Sequence, residues 1–249
     1  VAGYHVQTLN AATLVQQNSV RRTSGTAPTF GNVTVNNGQL VGVSSAFSIN
    51  VIQDAAFTVT GSAYINTWTW NLGISGAGAF VFGATSGTHH YGTFTVGSGS
   101  TLRCAGVNAL QAPSENGIVL TVASEPTGGL DLNGYSQAIP RLLAAASGDK
   151  YACVTSATPA TLTLSEKDSK ELAVSFTGAA SLKMSGAGTV TLAKRVSAST
   201  GDLTVSSGTL KLTDGAGWTG SNAVVSAGTL VVTATAAAQP FGPKSVCRT

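Results

Sequence analysis

Charge is scarce in this sequence. Asp, Glu, Lys and Arg make up 9% of its 249 residues, and the formal net charge is +3. Up to Leu102 the charged residues are Arg21, Arg22 and Asp54, so the first hundred residues must meet water through Ser, Thr, Asn, Gln and Gly. The basic residues are scattered, which argues against nucleic-acid binding. A surface with so few charges offers little repulsion against self-association.

Long apolar runs and cysteine clusters are also missing. A membrane-spanning helix needs about 18 or more consecutive apolar residues, and the sequence contains no such run. Its three cysteines, Cys104, Cys153 and Cys247, leave at least one without a partner. Their spacing matches no zinc or redox motif, so buried free thiols are favoured over a disulfide.

Histidine is too rare to support common kinds of catalytic or metal site. His89 and His90 are adjacent, and adjacent residues in a strand point to opposite faces, so the pair is poorly placed to share one metal ion. The third histidine, His5, is distant in sequence, and no Ser-His-Asp triad can be assembled. We therefore predict no metal and no cofactor.

The acidic residues do not form an evident acid–base pair. General acid–base work on a glycosidic bond needs two carboxyl groups that face the same bond. Most aspartates here are isolated at turns beside Gly or Ser, where the side chain serves the backbone. The six aspartates of the chain are Asp54, Asp131, Asp149, Asp168, Asp202 and Asp214. The most charged run, Ser165–Glu171, is interpreted as a solvated turn between two strands. The sequence thus predicts a protein that is not an enzyme, and a β-helical polysaccharide lyase or hydrolase ranks third among the alternatives.

What the sequence does contain is a repeat between Ser181 and Val232. Three Gly-Thr-aliphatic triplets recur there at a constant step along the chain. The triplets begin with the pairs Gly188-Thr189, Gly208-Thr209 and Gly228-Thr229. Glycine at these places permits a tight corner, and we expect the threonines to stack from one coil to the next.

The residues around each triplet alternate with a period of two. Leu203 and Val205 lie on one strand face, as do Leu210 and Leu212, with Thr or Lys between them. A single coil cannot bury such a face, but stacked coils form a continuous apolar core. We predict an all-β fold, a right-handed parallel β-helix (β-solenoid) with coils of about 20 residues. The predicted parts are an N-terminal cap or irregular first coil (1–30), the repeats (31–232), and an irregular segment or the start of a further coil (233–249).

Aromatic side chains are few but clustered. Trp68 and Trp70 share a strand face, and Tyr91 follows about one coil later. Facing outward, these three residues could bind sugar rings; facing inward, they would belong to the core, which is the favoured interpretation. The neighbouring aromatic residues Phe80, Phe82 and Phe94 are interpreted in the same way.

Two stretches carry a family resemblance. SGAGTVTLAKRVSASTGDLTVSSGTLKL at 185–212 and LDLNGYSQAI at 130–139 resemble the autotransporter-associated β-strand repeat of bacterial surface and secreted passenger proteins. The run Ala193-Lys194-Arg195-Val196 departs from the usual spacer, so the turn there is expected to be rebuilt. The resemblance implies a bacterial solenoid that is secreted or on the cell surface, and it implies no activity.

These observations predict a non-catalytic structural protein. It would form part of a surface layer, an adhesive stalk or an extracellular fibre that grows by end-to-end contact between copies. The alternative is a glycan-binding surface module that uses the outward aromatic face described above.

Overall fold

A computed structural model gives the fold. The residues that it describes are 7–10, 13–16, 29–36, 39–42, 47–61, 64–66, 71–84, 93–110, 117–121, 129–145, 151–193, 196–213, 216–220, 222–233 and 247–248. Within these ranges the chain forms 27 β-strands and no helix. The strands are β1 (Gln7–Asn10), β2 (Thr13–Gln16), β3 (Thr29–Phe30), β4 (Val33–Asn36), β5 (Gln39–Gly42), β6 (Phe47–Val51), β7 (Ala56–Gly61), β8 (Tyr64–Asn66), β9 (Leu72–Ser75), β10 (Ala79–Ala84), β11 (Phe94–Val96), β12 (Thr101–Cys104), β13 (Ile118–Leu120), β14 (Gly129–Asp131), β15 (Gln137–Ile139), β16 (Leu142–Leu143), β17 (Ala152–Leu164), β18 (Ser169–Leu172), β19 (Val174–Met184), β20 (Thr189–Ala193), β21 (Val196–Ser197), β22 (Leu203–Val205), β23 (Thr209–Thr213), β24 (Gly217–Trp218), β25 (Ala223–Val225), β26 (Thr229–Val232) and β27 (Cys247–Arg248).

The strands form five parallel sheets. A sheet of 12 strands runs the length of the stack in the order β1-β4-β7-β10-β12-β14-β17-β19-β22-β25-β27, and β15 pairs with β17 beside this path. The others are a six-stranded sheet (β16-β13-β11-β9-β6-β3), a four-stranded sheet (β18-β20-β23-β26), a three-stranded sheet (β2-β5-β8) and a two-stranded sheet (β21-β24). Every pairing between these strands is parallel. The chain therefore returns to the same sheet after each coil, which is a β-solenoid and confirms the predicted fold class.

The six-stranded and four-stranded sheets together form one side of the solenoid, which we call the split side. The backbone N–H of Ala173, just after β18, donates to the carbonyl of Ala144, just after β16, at 2.8 Å. The four-stranded sheet therefore stacks on the end of the six-stranded sheet. No ladder joins β16 to β18 in the described part of the chain, and we call this break the seam.

The core is formed by every second residue of the strands, whose side chains point inward. In β23, Leu210 and Leu212 are fully buried, whereas the three residues beside and between them keep contact with water. One apolar cluster extends in this way from Val33 to Trp218. Each fully buried large apolar side chain contributes roughly 1.5–3 kcal/mol by leaving water.

Aromatic residues fill the core of the N-terminal half. The rings of Phe57 and Phe80 stack with centroids 5.6 Å apart, and the centroid of Phe94 lies 6.0 Å from that of Phe80. Phe82 is fully buried beside them. The prediction that Phe80, Phe82 and Phe94 belong to the core is confirmed.

The coil length varies along the chain around a mean of about 22 residues. In the four-stranded sheet Thr189 pairs with Thr209, and Thr209 pairs with Thr229, which is the constant step that the triplets predicted. In the middle of the chain the coil is longer, since Leu102 pairs with Leu130 and the next residue, Arg103, pairs with Asp131. β12 and β14 still pair in parallel register on either side of this longer coil, so the extra residues do not break the stack.

The N-terminal segment (1–30), predicted as a cap or irregular first coil, contributes three strands to the stack. β1 pairs with β4, β2 pairs with β5 and β3 pairs with β6, all in parallel register. The run PRLLAAASGDKYACV (140–154) contains β16 and the start of β17. None of the described residues forms a helix that is long and apolar enough to cross a membrane.

Candidate functional site

The predicted aromatic site lies outside the described residues. Trp68, Trp70 and Tyr91 all fall in gaps between the described ranges. The same holds for the three histidines and for Asp149 and Asp214. Among the residues that are described, no three His, Cys, Asp or Glu side chains form a group that could hold a metal ion.

The predicted repeat glycines directly precede strands of the split side. Gly188 precedes β20, Gly208 precedes β23 and Gly228 precedes β26. Gly208 has a φ of +68°, and a Cβ at this position would lie 2.3 Å from the carbonyl oxygen of Gly186. Only glycine fits such a left-handed and crowded corner without strain.

The predicted threonines form a column on the outer surface. Thr189, Thr209 and Thr229 are paired in register in consecutive coils. Thr189 and Thr209 are half-buried, and Thr229 is exposed. Each threonine starts its strand next to a buried or half-buried aliphatic residue, as the alternation requires.

An ion pair joins two coils in the middle of the chain. Arg103 Nε donates to Asp131 Oδ2 at 2.8 Å. The other carboxylate oxygen of Asp131 accepts the backbone N–H of Asn133 at 2.9 Å, and Asn133 has a φ of 48°. Asp131 thus holds a turn, as predicted, and also pairs with an arginine, which the sequence analysis did not foresee.

A larger cluster lies at the seam and consists of Arg141, Glu166 and Asp168. The guanidinium of Arg141 contacts Glu166 Oε1 at 3.2 Å and Asp168 Oδ2 at 2.5 Å. Glu166 Oε1 also accepts the backbone N–H groups of Lys167 and Asp168, both at 3.1 Å. One carboxylate therefore fixes the turn and links it to the previous coil.

Burial of Glu166 corrects the interpretation of Ser165–Glu171 as a solvated turn. The side chain of Glu166 is 2% exposed, whereas that of Asp168 is 59% exposed. The first four residues of the segment, Ser165–Asp168, connect β17 to β18, and the other three belong to β18. Its first acidic residue nevertheless turns into the seam, because a buried carboxylate is tolerable where an arginine and two backbone N–H groups surround it.

The electrostatics of the seam cluster favour the charged form of Arg141. Partial burial alone would lower the pKa of Arg141, but hydrogen bonding to Glu166 and the charges of Glu166 and Asp168 outweigh this effect and raise it. A small cavity lies beside the cluster, lined by Pro140, Arg141, Ser165, Glu166 and Lys167. Both carboxylates are engaged by the same arginine, so the arrangement is suited to fastening two coils rather than to transferring protons.

Two further described aspartates lie at a turn and at a corner between coils. Asp54 has a φ of 59° and lies in the turn before β7. Asp202 Oδ1 accepts the side-chain amide of Asn222 at 2.9 Å, which links two coils at one corner.

Two of the cysteines are free thiols, as predicted. Cys104 is buried and Cys153 is half-buried. Burial, helped by the charge of Asp131, raises the pKa of the Cys104 thiol far above its ordinary value. Such a thiol is unreactive. The side chain of Cys247 lies outside the part of the chain that the structure describes.

The two ends of the split side carry incompletely buried apolar residues. At one end, Leu230 and Val232 in β26 are half-buried, although their partners one coil earlier, Leu210 and Leu212, are fully buried. At the other end, Phe30 in β3 is half-buried and packs edge-on against Phe57, with ring centroids 5.1 Å apart. β3 and β26 are the outermost described strands of their sheets.

Sequence reasoning missed the two arginine pairs but could have found them. Arg103 and Asp131 are 28 residues apart, and Arg141 and Glu166 are 25 apart. These separations are close to one coil. A search for opposite charges separated by about one coil length would have suggested both pairs.

Comparisons with known proteins add no identification. No family model, curated protein or solved structure matches this chain.

Proposed function

We propose that this protein is a non-catalytic structural solenoid, secreted or on the bacterial cell surface, whose copies associate end to end. The result would be a surface layer, a stalk or an extracellular fibre. The observation that carries the proposal is the core. Among the described residues, a single apolar cluster extends along the stack, and the outermost described strands of the split side, β3 and β26, carry half-buried apolar residues.

As the outermost described strands of the split side, β3 and β26 favour association. An edge strand offers free N–H and C=O groups that can pair with another chain, and soluble solenoids usually cover their terminal coils. The described residues of β3 and β26 carry no charge that would oppose such pairing. Head-to-tail contacts that continue along the solenoid axis do not close into a ring, so they produce a fibre.

The secreted location rests on the resemblance of 130–139 and 185–212 to passenger repeats. The glycan-binding alternative stays a prediction, because Trp68, Trp70 and Tyr91 lie outside the described residues.

Light scattering of the purified chain at micromolar concentrations tests the proposal. We expect the mean particle mass to rise with protein concentration. The mass should not fall when salt is raised, because salt screens charge contacts but not strand pairing or apolar contacts. Particles that keep the mass of one chain at every concentration and salt level would contradict the proposal.

A further inference from the structure

The corner that follows β14 contains the pair Asn133-Gly134 in a tight turn. The N–H of Tyr135 donates to the carbonyl of Leu132 at 2.8 Å, and φ is 48° at Asn133 and 80° at Gly134. Two central residues with positive φ are typical of a type I′ turn, in which Asn-Gly is a preferred pair. The turn lies close to the next coil, since a Cβ at Gly134 would be 2.4 Å from Thr158 Oγ1.

Asn-Gly is also a chemically reactive pair, because the two residues can react with each other. The backbone nitrogen of Gly134 attacks Cγ of Asn133, and glycine has no Cβ to hinder the approach. A bond between that nitrogen and Cγ forms, the bond from Cγ to Nδ2 breaks, and ammonia leaves with the proton of the Gly134 N–H. Water then opens the cyclic succinimide at either carbonyl, which yields an aspartate or an isoaspartate.

Both reacting nitrogens of this pair are held by other bonds in the folded chain. The leaving nitrogen, Asn133 Nδ2, donates to the carbonyl of Cys104 in the preceding coil at 3.1 Å. The attacking nitrogen, the backbone N of Gly134, donates to Ser156 Oγ in the following coil at 3.0 Å. To close the ring, the Asn133 side chain must rotate toward Gly134 and leave its acceptor. The Gly134 nitrogen must leave its acceptor as well.

The acceptor of the Gly134 N–H is itself fixed. Ser156 is fully buried, and its hydroxyl donates to the carbonyl of Thr158 at 2.6 Å, which leaves the lone pairs of Oγ free to accept. The backbone N–H of Asn133 is held as well, by Asp131 Oδ1 at 2.9 Å. The corner must therefore open before the ring can form, although Asn133 itself is exposed to water.

We propose that Asn133 is a deamidation site whose reaction is controlled by the opening of this corner. While the corner is closed, the hydrogen bonds on either side keep the amide intact. When it opens, the backbone nitrogen of Gly134 attacks, and the change is irreversible because the ammonia is lost to the solvent.

The products cannot close the corner as before. An aspartate at position 133 has an oxygen in place of the Nδ2 that donates to the Cys104 carbonyl, so two acceptors would face each other. Its negative charge would also lie near the carboxylate of Asp131, which holds the same turn. An isoaspartate lengthens the backbone of the turn by a methylene group. Deamidation at Asn133 therefore keeps a corner open once it has opened.

Peptide mapping by mass spectrometry tests the control by folding. The full chain is incubated at mildly alkaline pH, folded in one sample and in concentrated urea in the other. We expect the rate of deamidation at Asn133 to be about tenfold or more lower in the folded chain, because the reaction must wait for a rare opening. In urea, Asn37 and Asn116 provide the reference, since both also precede glycine and should react about as fast as Asn133. Equal rates at Asn133 in the two samples would overturn the proposal, and so would an Asn133 that stays unchanged in urea.

A serine variant tests the hydrogen bond that holds the attacking nitrogen. Ser156→Ala removes the acceptor of the Gly134 N–H, so the rate at Asn133 in the folded chain should rise. Ser199→Ala is the matched control, because Ser199 is also fully buried and Gly178 pairs with both serines, one on either side. The control should leave the rate at Asn133 unchanged, which excludes a general effect of losing a buried hydroxyl.

Circular dichroism establishes that both serine variants are folded before their rates are compared. A folded Ser156→Ala chain that reacts no faster than the Ser199→Ala chain would contradict the proposal. Should Ser156→Ala not fold, the comparison of the folded and the unfolded unchanged chain decides alone.

The consequence of the reaction is tested with Asn133→Asp, which is the aspartate product. Its midpoint of urea unfolding should be lower than that of the unchanged chain, because the turn loses a hydrogen bond and gains a charge. Asn71→Asp is the control, since it adds the same charge at an exposed position and should unfold at the midpoint of the unchanged chain. The same midpoint for all three chains would show that deamidation does not keep the corner open.

Discussion

Single residues in this protein are constrained mainly by how closely each coil lies on the next. At Gly208 the backbone is left-handed, and the carbonyl oxygens of Gly186 and Gly188 would lie 2.3 and 2.5 Å from a Cβ. Gly129, in contrast, has ordinary room, because the nearest atom to its Cβ position, the carbonyl oxygen of Cys153, is 3.7 Å away. The contribution of a glycine to stability therefore depends on the backbone conformation and the space at its position, not on its presence in the repeat.

The first prediction compares these two glycines. Gly208→Ala should lower the free energy of unfolding by about 1–3 kcal/mol, the cost of holding a residue other than glycine in a left-handed conformation. Gly129→Ala should be neutral or slightly stabilising, since alanine is favoured over glycine inside a strand by roughly 0.5–1 kcal/mol. Urea unfolding followed by circular dichroism measures both, and equal effects would contradict the account of the corner.

The two arginines provide a second comparison at this scale. Arg141→Met removes the partner of the buried Glu166 while keeping much of the side-chain volume, and leaving a buried charge without its partner costs about 3–5 kcal/mol. Arg103→Met breaks a pair in which the arginine is 46% exposed, and pairs of this kind contribute about 0–1 kcal/mol. The same unfolding measurement should therefore separate the two variants clearly. A loss at Arg141 no larger than that at Arg103 would show that the seam cluster does not fasten the coils.

At the scale of strands, the strands of the repeat could be predicted from the sequence, whereas the seam was not. β20, β23 and β26 follow from the Gly-Thr-aliphatic triplets, because a constant step between triplets keeps inward and outward positions aligned. The seam was not predicted, because the coil lengths around it differ from the constant step of the triplets. A search for opposite charges about one coil apart would have suggested the pair of Arg141 and Glu166, which are 25 residues apart.

A third prediction concerns the packing inside one strand. Phe80 in β10 is fully buried between Phe57 and Phe94, whereas Val81 is half-exposed and pairs with Thr58 and Arg103 on the outer surface. Phe80→Ala should cost about 3–5 kcal/mol through lost burial and an unfilled cavity. Val81→Ala should change stability by no more than about 0.5 kcal/mol, as is usual for surface positions. Thermal unfolding of the two variants checks the difference, and a larger loss for Val81 would reverse the assigned strand faces.

At the scale of the whole molecule, fold class could be predicted from the sequence, whereas the candidate contact surface could not. Periodicity and composition fix a parallel stack, because alternating aliphatic residues and glycine corners are satisfied only by stacked coils. The positions of β3 and β26 at the two ends of the split side depend on every coil length between them, so they emerge only when the pairings are followed one by one. The low charge of the chain, which the sequence did show, is consistent with close approach of copies.

Electron cryomicroscopy of the unmodified chain at micromolar concentration tests the central claim most directly. The account predicts rods joined in series, with the strand spacing of about 4.7–4.9 Å continuing along the rod axis through each junction. Particles that are all one chain long, or rods that lie side by side without joining at their ends, would contradict it.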